Sequence, residues 1–342
     1  MFGSFRFLLA TIVVVFHLAP VSLLKYIGAY YGFYAVFGFY CVSGYLMTAV
    51  LQKTYGYDLK GSVNFLINRI LRIFPSYYAV AVLAYVVISA FPQEAARVPA
   101  YRVSLQLADV LGNLLLFPFE FYKSKFRLIP PSWSIGVEIL AYFLLWLFIS
   151  RGKHQSLVSF IASLGYVAYT YIAGLSWGDR YFPLSAALLP FSIGAMMSHY
   201  LPEIKTVLIK LPRWFVLFSL FALMAHLVLA VNIGNYPRGA GLYVNLALMA
   251  FVIAQLAIYE NDDDFIKKAD VFLGNLSYPL FLSHTLVGFV VSLEFASRWH
   301  GLSSLIIGYP VAVIVSIFIN KYVDAPVQTW RNKFRSRLRS RQ

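Results

Sequence analysis

His17 is a lone imidazole inside the first long apolar run of the chain, Phe7 to Leu24, eleven residues after Arg6. At about 100° and 1.5 Å per residue, that spacing sets both side chains on one face of a helix, roughly 16 Å apart. With Arg6 at the membrane surface, His17 falls near mid-bilayer. An ionisable group is costly at that depth, so it is a candidate for chemistry, above all for accepting a proton near neutral pH. A hydrogen-bonded packing role within a helix bundle is the competing reading.

Three further groups share that character. Arg69-Ile70-Leu71-Arg72 precedes the third apolar run. Residues three apart on a helix are neighbours, so two permanently charged guanidiniums form one cationic patch where phosphates would bind, although simple anchoring of a span also uses such residues. Pro131-Ser132-Trp133-Ser134-Ile135-Gly136-Val137-Glu138 opens the fourth run, with Ser134 one helical turn before Glu138. A carboxylate inside a span needs an arginine, a histidine, a sugar hydroxyl or a shared proton, or else it ties two helices together. Trp133 suits an interfacial belt or a sugar-stacking platform. Gly274 to His284 opens the ninth run, and there Ser277 and His284, seven apart, share a face that brings His284 to the depth inferred for His17. His226 also falls within a span, with nothing polar near it in sequence, and reads as a packing residue.

The elements that must position these groups follow from composition. With 60% hydrophobic residues, 12% charged residues and a mean hydropathy of +0.71, the chain cannot clothe itself in a polar surface and is an integral membrane protein. One cysteine, Cys41, rules out an intramolecular disulfide framework and a Cys-rich metal site, and no metal is expected. No small-residue cleavage site is evident near residues 19 to 29, so the first run reads as a retained span. Apolar runs predict an all-α bundle of about ten transmembrane helices, near 6–24, 30–51, 71–92, 133–150, 155–174, 183–200, 213–231, 241–259, 273–293 and 302–323. Residues 105–119 carry Asp109, Gly112, Asn113 and Pro118 and suit a re-entrant or interfacial segment.

No linker or repeat divides residues 1–330, which read as one membrane domain followed by a basic tail, 331–342. With the N-terminus in the cytoplasm, thirteen basic residues from Arg6 to Lys321 and six from Arg331 to Arg341 lie inside, 19 of 28, so both termini are expected there. The net charge of +14 then reflects topology and contact with anionic membrane lipids, with no nucleic acid partner expected. The outer loop from Pro92 to Pro131, with Arg97, Arg102, Lys123, Lys125 and Arg127, points to an anionic or polysaccharide acceptor.

In order and depth these features resemble membrane acyltransferase family 3, the multi-span O-acyltransferases that decorate bacterial surface carbohydrates. The matching elements are Arg6 with His17, Ser43-Gly44-Tyr45-Leu46, Arg69 with Arg72, Ser132-Trp133-Ser134 through Val137-Glu138, and Gly274 with Ser277-Tyr278 through His284. The resemblance implies His17 as the catalytic residue, Arg69 and Arg72 at an acyl-CoA donor, acetyl-CoA first, a carbohydrate or glycolipid acceptor, and residence in the bacterial inner membrane. The chain departs from the family pattern at Gly3-Ser4-Phe5, where an acidic residue often stands, at Ile139, where a second glutamate is frequent, and at Phe281, where tyrosine is common. Some relatives carry a further soluble domain; here about twenty residues follow the last span, and a partner would have to supply any such step.

Chemistry argues the same way without the family. Acyl transfer from a thioester to an alcohol needs a base for the hydroxyl proton, and neutral imidazole suits it. Arg69 and Arg72 would clamp coenzyme A phosphates, with Arg6 a further donor contact, and hold the thioester toward mid-membrane through a passage leading to His17. Glu138 is then expected to orient the acceptor hydroxyl or the imidazole, with Ser134, Trp133, Tyr278 and His284 on the substrate side. Two other readings exist: a proton-coupled transporter or flippase of an envelope glycan, built on intramembrane His and Glu, and a non-catalytic scaffold.

Overall fold

A computed structural model describes residues 1–20, 22–24, 31–98, 101, 106–116, 126–230, 233–259, 263–294 and 301–339, with side chains as far as 332. Among them the one extended pairing is an isolated bridge between Tyr101 and Phe126; the rest of the regular structure is helical. The principal helices are α1 (Phe2–Leu18), α2 (Tyr31–Val50), α3 (Leu59–Ala90), α4 (Leu107–Leu115), α5 (Trp133–Leu144) and α6 (Lys153–Ile172). They continue with α7 (Leu184–His199), α8 (Phe215–Leu229), α9 (Ala240–Ile258), α10 (Asp264–Glu294), α11 (Gly308–Ile319) and α12 (Ala325–Arg339), the last two joined by a π-helical turn, Asn320–Asp324.

Among the described residues, seven helical stretches are long and apolar enough to cross a bilayer: Tyr31–Tyr55, Leu59–Ala90, Pro130–Ile149, Trp177–His199, Ala240–Ile258, Asp264–Glu294 and Leu302–Asn332. Helices stand at the other three expected places, but α1 and α8 have 17 and 15 residues and α6 opens on the polar run Lys153-His154-Gln155-Ser156, so seven is the supported number. The outward faces agree with a lipid surround. Val82 and Val86 on α3 and Leu217 and Phe221 on α8 are exposed, apolar surface that water would not tolerate in such quantity.

Helix α1 ends earlier than the apolar run implies. Ala19 precedes Pro20 and takes up the extended backbone (φ −67°, ψ 145°) that a following proline imposes, so His17 lies in the last turn of α1 rather than mid-helix. The start of α1 is held by α10. Asp270 accepts hydrogen bonds from the backbone N–H of Gly3 (3.1 Å) and Ser4 (2.8 Å) and from the Ser4 hydroxyl (2.8 Å), and it pairs with the terminal ammonium of Met1 (3.4 Å). A carboxylate from another helix thus satisfies the orphan donors of the first turn and complements the helix dipole. Gly3 allows the approach, because a Cβ there would stand 1.8 Å from the Asp270 carbonyl oxygen. At the far end His17 meets His284, so α1 and α10 run parallel and in register.

The short helix α4 occupies the expected non-spanning segment, nine residues with Asp109 and Asn113 buried and Leu107, Leu111, Leu114 and Leu115 exposed. Asn113 fixes it by donating to the carbonyls of Asp109 (2.8 Å) and Phe126 (3.0 Å) and accepting from the Leu128 N–H (2.8 Å). Tyr77 of α3 donates to the Asn113 carbonyl (2.6 Å), which ties the segment to a spanning helix. Arg102, Lys123 and Lys125 of the outer loop lie outside the described residues.

Candidate active site

Five helices, α1, α2, α3, α5 and α10, line a cavity of about 120 Å³ whose polar wall includes Arg6, Ser43, Arg69, Arg72, Ser134 and Glu138. The residues singled out on four separate apolar runs therefore meet in one place. Glu138 accepts hydrogen bonds from the Ser43 hydroxyl (2.5 Å) and the Tyr142 hydroxyl. Arg72 pairs with Asp324 at 3.3 Å, and the Ser76 hydroxyl holds the other oxygen of Asp324 at 2.5 Å. Arg72 also stands over the Tyr278 ring, 5.7 Å from its centroid, and the Tyr278 hydroxyl donates to the Ile73 carbonyl (3.0 Å). Tyr278 is thus a brace for α3 and Arg72.

Arg69 and Arg6 are held differently. Arg69 reaches the Met47 sulfur (3.1 Å) and the Asn68 side-chain oxygen (3.0 Å), an acceptor it shares with Arg331 (2.7 Å). The Nε atoms of Arg6 and Arg69 are buried without a hydrogen-bond partner, and neither guanidinium forms an ion pair among the described residues. With Arg72 matched by Asp324, the two guanidiniums of Arg6 and Arg69 share the cavity with one carboxylate, Glu138. Such a surplus of desolvated positive charge is chemically suited to an anion.

The two histidines meet on the far side of an aromatic pair. The ring of Phe281 lies 6.1 Å from Phe39 and 6.1 Å from His284, and both phenylalanines line the arginine cavity. Neither histidine lines it. His17 Nδ1 is 3.0 Å from the Val13 carbonyl and 3.1 Å from His284 Nε2, while His284 Nδ1 is 3.2 Å from the Leu280 carbonyl. The rings stand 5.0 Å apart and His284 is fully buried.

Several expectations need correction. Glu138 sits among the arginines, bonded to Ser43 and Tyr142, and not beside the imidazole. Among the described residues the cavity wall reaches Phe39 and Phe281 on the histidine side and does not include His17. Trp133 lies off the cavity wall, packed edge-on against Tyr181 (5.4 Å) and Phe182 (4.8 Å). Ser134 does line the cavity, yet its hydroxyl is spent on the Pro131 carbonyl (2.9 Å). His226 is not in an apolar setting, since Tyr236 (3.1 Å) and Asn245 (3.2 Å) bond both its nitrogens. Arg127, at the entry to α5, donates from Nε to the Pro130 carbonyl (3.1 Å), and burial pushes its guanidinium below the ordinary arginine range.

Sequence reasoning missed Asp324, Asn68 and Asp270. Asp324 carried a usable signal, an acid closing the last apolar run amid lysines and arginines, but its partner lies 252 residues away.

The chain matches the model of the acyltransferase 3 family, described as an acyltransferase domain, over residues 4–321. A protein from Aquifex aeolicus (strain VF5), described only as uncharacterized, is 27% identical over 225 residues, which is 61% of this chain and 90% of that protein. No solved structure matches the chain.

Proposed function

The chain belongs to the membrane acyltransferase 3 family, and from that premise we propose that it transfers an acyl group, acetyl first, from acyl-CoA to a hydroxyl of a carbohydrate or glycolipid acceptor. The observation that carries this reading is the cavity in which the buried Nε atoms of Arg6 and Arg69 have no partner, next to a pair of histidines. Arg6, Arg69 and Arg72 bind donor phosphates, each through charge-assisted hydrogen bonds. In this reading the adenosine stays at the mouth of the bundle, and the pantetheine arm extends inward past Phe39 and Phe281, whose rings turn aside to admit it.

At the inner end His17 is the general base. The acceptor oxygen attacks the thioester carbonyl as its proton passes to the imidazole; the tetrahedral centre then collapses, the carbon–sulfur bond breaks, and the same proton goes to the departing thiolate. The products are an ester and free coenzyme A. Glu138, braced by Ser43 and Tyr142, belongs to the donor end, where it partly offsets the guanidinium charge. Trp133 and Ser134 keep structural roles in this reading. Residues 1–330 act as one membrane domain of the bacterial inner membrane, with both termini and the arginine mouth on the cytoplasmic side, because coenzyme A is supplied there and the basic residues concentrate there.

The test is transfer of labelled acetyl from acetyl-CoA by His17→Ala in membranes where the variant inserts at the wild-type level. Loss of transfer with coenzyme A binding retained is the expected outcome. Wild-type transfer by the variant would remove His17 from the chemistry.

A further inference from the structure

We propose that His284 is the positioning residue of this reaction: its bare Nε2 accepts the Nδ1–H of His17 and so makes Nε2 of His17 the nitrogen that takes the proton. The argument starts from hydrogen-bond bookkeeping on the two rings. Each histidine turns Nδ1 toward the carbonyl four residues earlier in its own helix, Val13 for His17 at 3.0 Å and Leu280 for His284 at 3.2 Å. A carbonyl oxygen only accepts, so both Nδ1 atoms carry hydrogen. His284 Nε2 lies 3.1 Å from His17 Nδ1, and two N–H groups cannot face each other there. His284 is therefore the neutral Nδ1–H tautomer and offers its lone pair to His17.

That arrangement does for His17 what a buried carboxylate does for the histidine of a serine protease: it sets the tautomer, fixes the ring and stabilises the imidazolium that forms. A neutral ring does so without placing a negative charge deep in an apolar bundle, where an unpaired carboxylate would be costly. His284 suits the task because it is fully buried and its own ring is anchored by Leu280, so it cannot swing away to water. When His17 accepts the hydroxyl proton at Nε2, its Nδ1–H bond to His284 becomes charge-assisted and stronger. When the thiolate reclaims that proton, the pair returns to its starting state.

This inference rests on His17 being the base, and the experiment separates the two. In the full-length protein in lipid nanodiscs, 15N NMR of labelled histidine reports which nitrogen of His17 carries hydrogen. Turnover is read as thiol released from acetyl-CoA by membrane vesicles of bacteria producing each variant. The expected results are an Nδ1–H tautomer for His17 in the wild type, and a mixture of tautomers in His284→Leu. Turnover of His284→Leu should fall about 100-fold with KM for acetyl-CoA unchanged, and His284→Gln, whose amide oxygen reaches the Nε2 position, should regain at least about tenfold. The drop is smaller than the roughly 10⁴-fold cost of losing the protease carboxylate, because the Val13 carbonyl alone still holds part of the population in the Nδ1–H form. An Nε2–H tautomer in the wild type overturns the proposal. So does full turnover by His284→Leu while His17→Ala is inactive, and that result leaves the base assignment standing. Full turnover by His17→Ala overturns the base assignment and this proposal with it.

Discussion

The arginine cavity and the histidine pair lie on either side of Phe39 and Phe281, within the same helices, and treat buried polarity in opposite ways. In the cavity, charge is retained: Arg72 is matched by Asp324, whereas Arg6 and Arg69 have buried nitrogens facing no carboxylate of their own. At the histidine pair charge is avoided, since the geometry asks for two neutral rings held by backbone carbonyls. A site that keeps permanent charge is built for a charged visitor, and a site that keeps neutral rings is built for a proton that comes and goes. Under the proposed function, the difference divides labour between donor binding and chemistry.

Substitutions on each side should therefore fail differently. The largest effect belongs to His17→Ala, for which transfer should fall by about 10²- to 10⁴-fold, the usual worth of a general base, while the Kd for coenzyme A stays at the wild-type value. Equal loss of binding would erase the division. Next in size, Arg69→Ala and Arg6→Ala should each raise the Kd for coenzyme A by about 10- to 100-fold, as expected for charge-assisted bonds of about 1.5–3 kcal/mol, with the penalty shrinking as salt is added. Calorimetric titration checks both, and a salt-independent Kd would argue against ionic contacts. The smallest effect is on stability: Asp324→Asn leaves Arg72 without its counter-charge, and because Arg72 opens onto the cavity the cost should be about 1–3 kcal/mol rather than the larger value of a fully buried pair. A lowered thermal midpoint of the purified protein is the expected sign; an unchanged one would mean the pair adds nothing.

Much of this arrangement could be read from the chain before any coordinates. Helical spacing converts residue number into position along a helix, and the shared level expected for His17 and His284 is matched by their contact. Apolar run length finds the long spans for the same reason. What spacing does not encode is which helix stands beside which. Glu138 lines the same cavity as Arg6 and Arg69 and not the side of the imidazole, because that choice belongs to the packing of α5 against α2 and α3. Asp270 shows the same limit usefully: the resemblance leads one to expect an acidic residue just before the arginine, the chain has Gly3-Ser4-Phe5 there, and a carboxylate from α10 reaches that place through space. The end of α1 was legible, since Pro20 announces that Ala19 leaves the helix, although run length alone carried the span on to 24.

The most direct measurement is a structure of the full-length protein in lipid with coenzyme A bound. The account predicts the phosphates within hydrogen-bond distance of Arg6 and Arg69, the adenosine at the mouth of the bundle, and the thiol beyond Phe39 and Phe281, approaching Nε2 of His17. Coenzyme A bound away from the arginines, or with its thiol directed away from the histidine pair, would contradict it.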